Sequence, residues 1–105
     1  MLKRLAIVVF CLLAIASLAI AEEAGQPEAL INLVKQDCGS CHGLTLKGGL
    51  GPDIRPAALA HYDIDTLSGV VLDGIPDTAM PPWRPILSEG DARKIAEYLL
   101  KGDLK

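Results

Sequence analysis

The sequence predicts a small all-α domain of three to four helices wrapped around a large bound group. Three observations predict it. Apolar residues recur at helical spacing in three stretches, and strand-like alternation is absent throughout. Two Gly- and Pro-rich segments, Gly43 to Pro56 and Ile75 to Pro85, are long for structureless connections in a compact domain and need something to pack on. The apolar stock beyond residue 21 is thin: two tyrosines, one tryptophan and aliphatics on three short helices. Small exported chains add disulfides, a metal or another staple to such a core.

The first segment in chain order stands outside that domain. Lys3 and Arg4 precede an uncharged run from Leu5 to Ala21, which closes on Ala19-Ile20-Ala21 before Glu22-Glu23. A positive start, an apolar middle and small residues at a cut site make a secretory signal peptide of residues 1–21, cleaved after Ala21. The alternative, a permanent anchor, needs about 20 apolar residues to span the hydrocarbon, and this run is marginal. Cys11 would leave with the leader. Residues 22–105 then form one domain, too short for a multidomain enzyme, carrying 8 Lys and Arg against 13 Asp and Glu. A net charge of −5 is the wrong sign for a nucleic-acid binder.

Within the domain, Pro27 and Glu28 suit an opening helical turn. Ala29, Leu30, Leu33 and Val34 then form an apolar stripe that runs directly into Cys38. A second helix begins near Asp65, places Leu67, Val70 and Val71 on one face, and stops at Gly74. A third is opened by Ser88-Glu89-Gly90-Asp91, a capping box with a carboxylate at its third position. Ile95, Tyr98 and Leu99 share its apolar face, and Gly102 ends it.

The chemistry is concentrated in Cys38-Gly39-Ser40-Cys41-His42, the attachment motif of c-type haem. Two thiols add across the porphyrin vinyl groups as thioethers, the small pair between them lets the backbone lie close to the ring, and His42 offers an imidazole nitrogen to the iron. A thioredoxin-type pair would need a βαβ pattern around it. A structural zinc site would need four ligands, and beyond Cys38, Cys41 and His42 only the distant His61 remains. A disulfide between Cys38 and Cys41 would close too small a loop to stabilise much.

The sixth iron position points to Met80, the one methionine left once the leader is removed. It sits in Thr78-Ala79-Met80-Pro81-Pro82-Trp83, where prolines stiffen its flanks, rather than on a helix stripe where methionine is core filler. His61 is the rival ligand, with a solvated surface histidine as its default reading. Pro52 either presents its carbonyl to the ring N–H of His42 or is simply a turn proline. Trp83 has an indole N–H for a haem propionate. Arg55 and Arg84 either pair with propionates or stay as solvated charges. Tyr98 faces the haem and the first helix.

These residues, with Gly51-Pro52 and the closing Ala96-Glu97-Tyr98-Leu99, resemble a class I cytochrome c of the short bacterial type over most of residues 28–101. The resemblance implies first and last helices crossing, an enclosed haem with one exposed edge, haem held by Cys38 and Cys41, and axial ligands His42 and Met80. It also makes Pro52 the proline that accepts from the ligand histidine. Leu33 departs from the pattern, standing where such cytochromes often place an aromatic residue. The run Gly39 to Pro52, together with Thr78 to Trp83, is similar to the cytochrome c55X family, which accompanies the haem d1-containing nitrite reductase of denitrifying bacteria.

The functional expectation is a periplasmic, monomeric monohaem carrier of single electrons, with no enzyme activity of its own. Its redox partners would be a respiratory-chain donor and, by resemblance, the nitrite reductase. An accessory role in maturing the reductase or its haem d1 is the second reading. A catalytic or gas-sensing haem with Met80 displaced is the third, and no acid/base constellation near the motif supports it.

Overall fold

The computed structural model describes residues 27–104. The signal peptide expected over residues 1–21, with its expected cleavage point and Cys11, lies outside the described residues. Within them the regular structure is helical and there is no strand. Helix α1 (Pro27–Leu33) passes through a π-helical stretch, Val34–Cys38, into α2 (Gly39–His42). Then come α3 (Pro56–Leu59), α4 (Ile64–Asp73) and α5 (Glu89–Lys101). With the first three segments run together, the described residues form four helices, within the expected three to four.

The helix limits follow from capping chemistry. At α4 the Asp63 side chain accepts the Thr66 N–H at 2.7 Å, so the helix starts at Ile64, one residue before the expected Asp65. At α5 the capping box is complete. Ser88 Oγ accepts the Asp91 N–H at 3.1 Å, and Asp91 Oδ2 accepts the Ser88 N–H at 3.3 Å. Gly102 closes that helix in the left-handed conformation, donating its N–H to the Tyr98 carbonyl.

The core is aliphatic. Leu30 and Val34 come from the first helix, Leu59 from α3, Leu67, Val71 and Leu72 from α4, and Ala92, Ile95, Ala96 and Leu99 from α5. Helix α5 packs most extensively on α4 and also meets α1 and α3, so the last helix reaches the first as the resemblance implied. Val34 and Ile95 are the largest fully buried side chains. Of the expected apolar stripe, Leu30 and Val34 are buried and Leu33 half-buried, while Ala29 is exposed. Ala29 falls in the first turn, before the helix reaches α5. Tyr98 and Val70 are also only half-buried.

The two long loops are less irregular than their composition suggests. Pro56, the last residue of the first stretch, opens the four-residue helix α3, with proline at the position where a missing N–H costs nothing. After α4, the N–H groups of Trp83 and Arg84 donate to the carbonyls of Val71 and Leu72, at 3.3 and 3.0 Å, and tie the second loop to the end of that helix.

Candidate haem-attachment site

The helix carrying the motif is π-helical immediately before it. The widened turn over Val34–Cys38 re-phases Cys38, Cys41 and His42 relative to the buried Leu30/Val34 stripe. Cys38 still packs on the edge of the core and Gly39 is buried, whereas Cys41 and His42 are half-buried. Cys38 and Cys41 are both free thiols, half-buried. Burial, and then the Asp37 carboxylate beside it, pushes the Cys38 thiol up to about 11, so it stays neutral. The Ser40 hydroxyl donates to the Asp37 carbonyl at 2.7 Å and lies 3.9 Å from Cys41 Sγ.

His42 is fixed by a single bond that decides its chemistry. Its Nδ1 lies 2.7 Å from the Pro52 carbonyl oxygen. A carbonyl only accepts, so Nδ1 carries the proton and Nε2 keeps its lone pair for a metal. The loop that brings Pro52 there is built almost wholly from main-chain bonds. The Gly51 N–H donates to the Cys41 carbonyl at 2.7 Å and the Gly48 N–H to the His42 carbonyl at 2.8 Å, capping the end of α2. Leu46 is buried in the core, its N–H on the Gly43 carbonyl at 2.8 Å and its own carbonyl accepting from Ile54 at 3.0 Å. Leu44 and Leu50, on either side of it, are 81% and 85% exposed beside the motif.

Met80 is carried by the loop after α4 and is half-buried. Its N–H donates to Thr78 Oγ1 at 3.3 Å, its carbonyl accepts from Ile75 at 3.3 Å, and Thr78 Oγ1 donates to the Ile75 carbonyl at 2.7 Å. Gly74 is more than a helix stop. Its φ is +67°, and a side chain there would lie 2.6 Å from the Met80 carbonyl oxygen, so the methionine loop rests on bare backbone. The structure thus places Cys38, Cys41 and His42 along one helical stretch, brings the Pro52 carbonyl to His42, and carries Met80 on a separate turn.

The surrounding polar residues sort themselves. Arg55 makes a forked ion pair with Asp53 (2.7 Å for Nη2 to Oδ2), which holds that carboxyl well below the usual range, at about 2. Arg84 bonds Asp73 at 2.8 Å and lies 3.5 Å from Glu89. Both arginines are thus already engaged by protein carboxylates. His61 is exposed and packs on Tyr62, ring centroids 4.2 Å apart. Trp83 is half-buried against the core. Among the described residues no three His, Cys, Asp or Glu side chains converge as a metal cluster, which leaves the four-ligand zinc reading without a site. The donor set fits haem c: two free thiols three residues apart and a histidine whose Nε2 is free.

Comparisons with known proteins agree with this chemistry. A family model described as cytochrome c oxidase, cbb3-type, subunit III matches residues 25–99. Cytochrome c55X of Paracoccus denitrificans (strain Pd 1222) is 55% identical over 100 residues, 95% of this chain and 96% of that protein. Among solved structures, the c-type cytochrome NirC is 47% identical with a TM-score of 0.70, covering 72% of this chain and 89% of that one. Dihydro-heme d1 dehydrogenase NirN in complex with DHE is 31% identical with a TM-score of 0.63, covering 71% of this chain but 16% of that one.

Proposed function

The chain belongs to the cytochrome c55X family of c-type cytochromes, and we propose that it is a periplasmic carrier of single electrons in denitrification. The leader is removed after Ala21, and one haem is joined covalently to Cys38 and Cys41, its iron ligated by His42 and Met80. When bound, that group supplies a one-electron couple. The observation that carries the reading is the 2.7 Å bond from His42 to Pro52, which commits the imidazole tautomer with its Nε2 free.

The chain's own residues account for the rest. With His42 and Met80 both holding the haem iron, no position would stay open for a substrate, and the chemistry supplied would be outer-sphere electron transfer. A neutral thioether favours the ferrous state and raises the potential. The acidic body docks on basic patches of its partners, a respiratory-chain donor and the haem d1-containing nitrite reductase, at a rate that falls as salt rises. It works as a monomer. The deciding experiment is the visible spectrum of the exported ferric protein. A weak thioether-to-iron charge-transfer band, lost in Met80→Ala, is expected. High-spin bands in the unaltered protein would refute Met80 as ligand, and colourless protein of bare polypeptide mass would refute the whole reading.

A second reading has one observation in its favour: the likeness to part of dihydro-heme d1 dehydrogenase NirN. Here the chain serves maturation of the reductase or its haem d1. Deleting its gene separates the two. A lost carrier leaves an assembled reductase poorly supplied with electrons, whereas a lost maturation factor leaves it without d1.

A further inference from the structure

The glycines of the loop after His42 do different jobs. At Gly43 and Gly49 an added side chain would collide with main-chain oxygens, Gly48 O at 2.6 Å and Cys41 O at 2.9 Å, so these two shape the loop. Gly51 is different. A methyl group on its Cα would lie 2.8 Å from Cε1 of His42, 2.9 Å from Nδ1 and 3.3 Å from Cγ. Its φ lies outside the left-handed region, so the backbone there accepts any L-residue. What the position requires is space for the ring.

The backbone at Gly51 is also unable to retreat. Its N–H is held by the Cys41 carbonyl at 2.7 Å and its carbonyl by the Gly49 N–H at 2.9 Å. The next residue, Pro52, carries the oxygen bonded to Nδ1. An added methyl would therefore move the softer partner. The torsion between Cβ and the ring of a histidine has a broad energy profile, so the imidazole turns before the main chain gives way.

We propose that Gly51 is a positioning residue for His42: the side chain it lacks sets the rotation of the imidazole, and the Pro52 carbonyl holds the ring at that angle. The inference rests on the reading of His42 as an axial ligand. Ring orientation fixes the axis along which the ligand perturbs the iron orbitals. It is therefore read by paramagnetic spectra even when ligand identity and fold are unchanged.

The test compares the haem-bound wild type with Gly51→Ala and with Gly69→Ala, whose added methyl would meet nothing within 4 Å. In ferric proton NMR, Gly51→Ala is expected to shift and reorder the haem methyl resonances while keeping the thioether charge-transfer band, and Gly69→Ala to leave their order as in wild type. Unchanged methyl order in Gly51→Ala would overturn the inference and leave the haem ligation standing. Colourless wild-type protein would instead overturn the functional reading beneath it. Should Gly51→Ala fail to mature, the ferrous wild type still decides. A nuclear Overhauser cross-peak between the Gly51 Hα and His42 Hε1 protons is required, and its absence refutes the contact.

Discussion

Leu46 is a buried leucine with φ at +59°, in the left-handed region that side chains with a Cβ rarely adopt. Its burial opposes the strain. Left-handed backbone costs about 1–2 kcal/mol for a residue with a Cβ. Truncating a buried leucine to alanine costs roughly 2–5 kcal/mol. Packing wins, and the loop that carries the Pro52 carbonyl to His42 is pinned at its midpoint. Leu46→Ala removes the packing and keeps the strain, whereas Leu46→Gly removes both but loosens the unfolded chain. At an ordinary helical site glycine is worse than alanine by about 0.5–1 kcal/mol. Leu59, 5% exposed at the last position of α3 and outside the left-handed region, serves as the reference.

Subtracting the Ala-to-Gly difference at Leu59 from that at Leu46 cancels the entropy and the buried-methyl contributions common to both. What remains is the strain, so glycine should gain about 1–2 kcal/mol on alanine at position 46 relative to position 59. In a domain of this size that is about 4–16 °C in Tm. The assay is guanidinium unfolding of the four haem-bound variants, followed by far-ultraviolet circular dichroism, with slopes checked for constancy. A difference of zero, or glycine as unfavourable at 46 as at 59, would refute the claim that burial holds Leu46 against strain.

Other expectations are simpler to test. Gly74→Ala forces a Cβ into φ +67° and to within 2.6 Å of the Met80 carbonyl, so the thioether charge-transfer band should weaken while both thioether links survive, as visible spectra and mass spectrometry would report. Ser88→Ala removes the Oγ that accepts the Asp91 N–H, leaving only the main-chain half of the α5 capping box, and should lower stability by about 1 kcal/mol in denaturant titrations. Asp53 has a folded pKa of about 2, below its ordinary 3.8. Its ion pair with Arg55 therefore contributes fully above the ordinary carboxylate range and is lost as pH falls through about 2. Carboxyl carbon NMR should place the midpoint there, and Arg55→Ala should return it toward 3.8.

What the sequence makes legible is what neighbours along the chain decide. The Cys38–His42 spacing, the Ser88/Asp91 box and the stops at Gly74 and Gly102 are local signals, and each falls where its chemistry puts it. For Pro52 the sequence allows a turn proline as well as a carbonyl acceptor, and the 2.7 Å bond selects the acceptor. The remainder depends on contacts that only folding creates. Leu44, Leu46 and Leu50 look alike in a non-periodic stretch, yet one is buried and two are exposed, because main-chain bonds from Gly43 and Ile54 turn only Leu46 inward. The π-helical turn leaves no compositional trace. It is a change of hydrogen-bond partner, visible in the Gly39 N–H reaching the Val34 carbonyl. The roles of Gly51 and Gly74 likewise reside in absent side chains, whose neighbours are remote in pattern though not in space.

The partner chosen for His42 bears on potential as well as on geometry. A carboxylate accepting from Nδ1 would make the imidazole more basic and favour the ferric state. A main-chain carbonyl polarises the ring less, and it acts in the same direction as a neutral sulfur ligand. The carboxylate nearest in sequence, Asp53, follows Pro52 directly and would undercut that effect if its charge stood alone. It is instead bound by Arg55 through Nε, at 3.1 and 3.2 Å, and through Nη2 at 2.7 Å. The fork neutralises the one acidic group that the ligand loop brings beside its own hydrogen bond. On the proposed reading, an acidic protein would thereby keep negative charge on its outer surface, available to steer partners, and away from the histidine proposed to ligate the iron, where it would favour the ferric state.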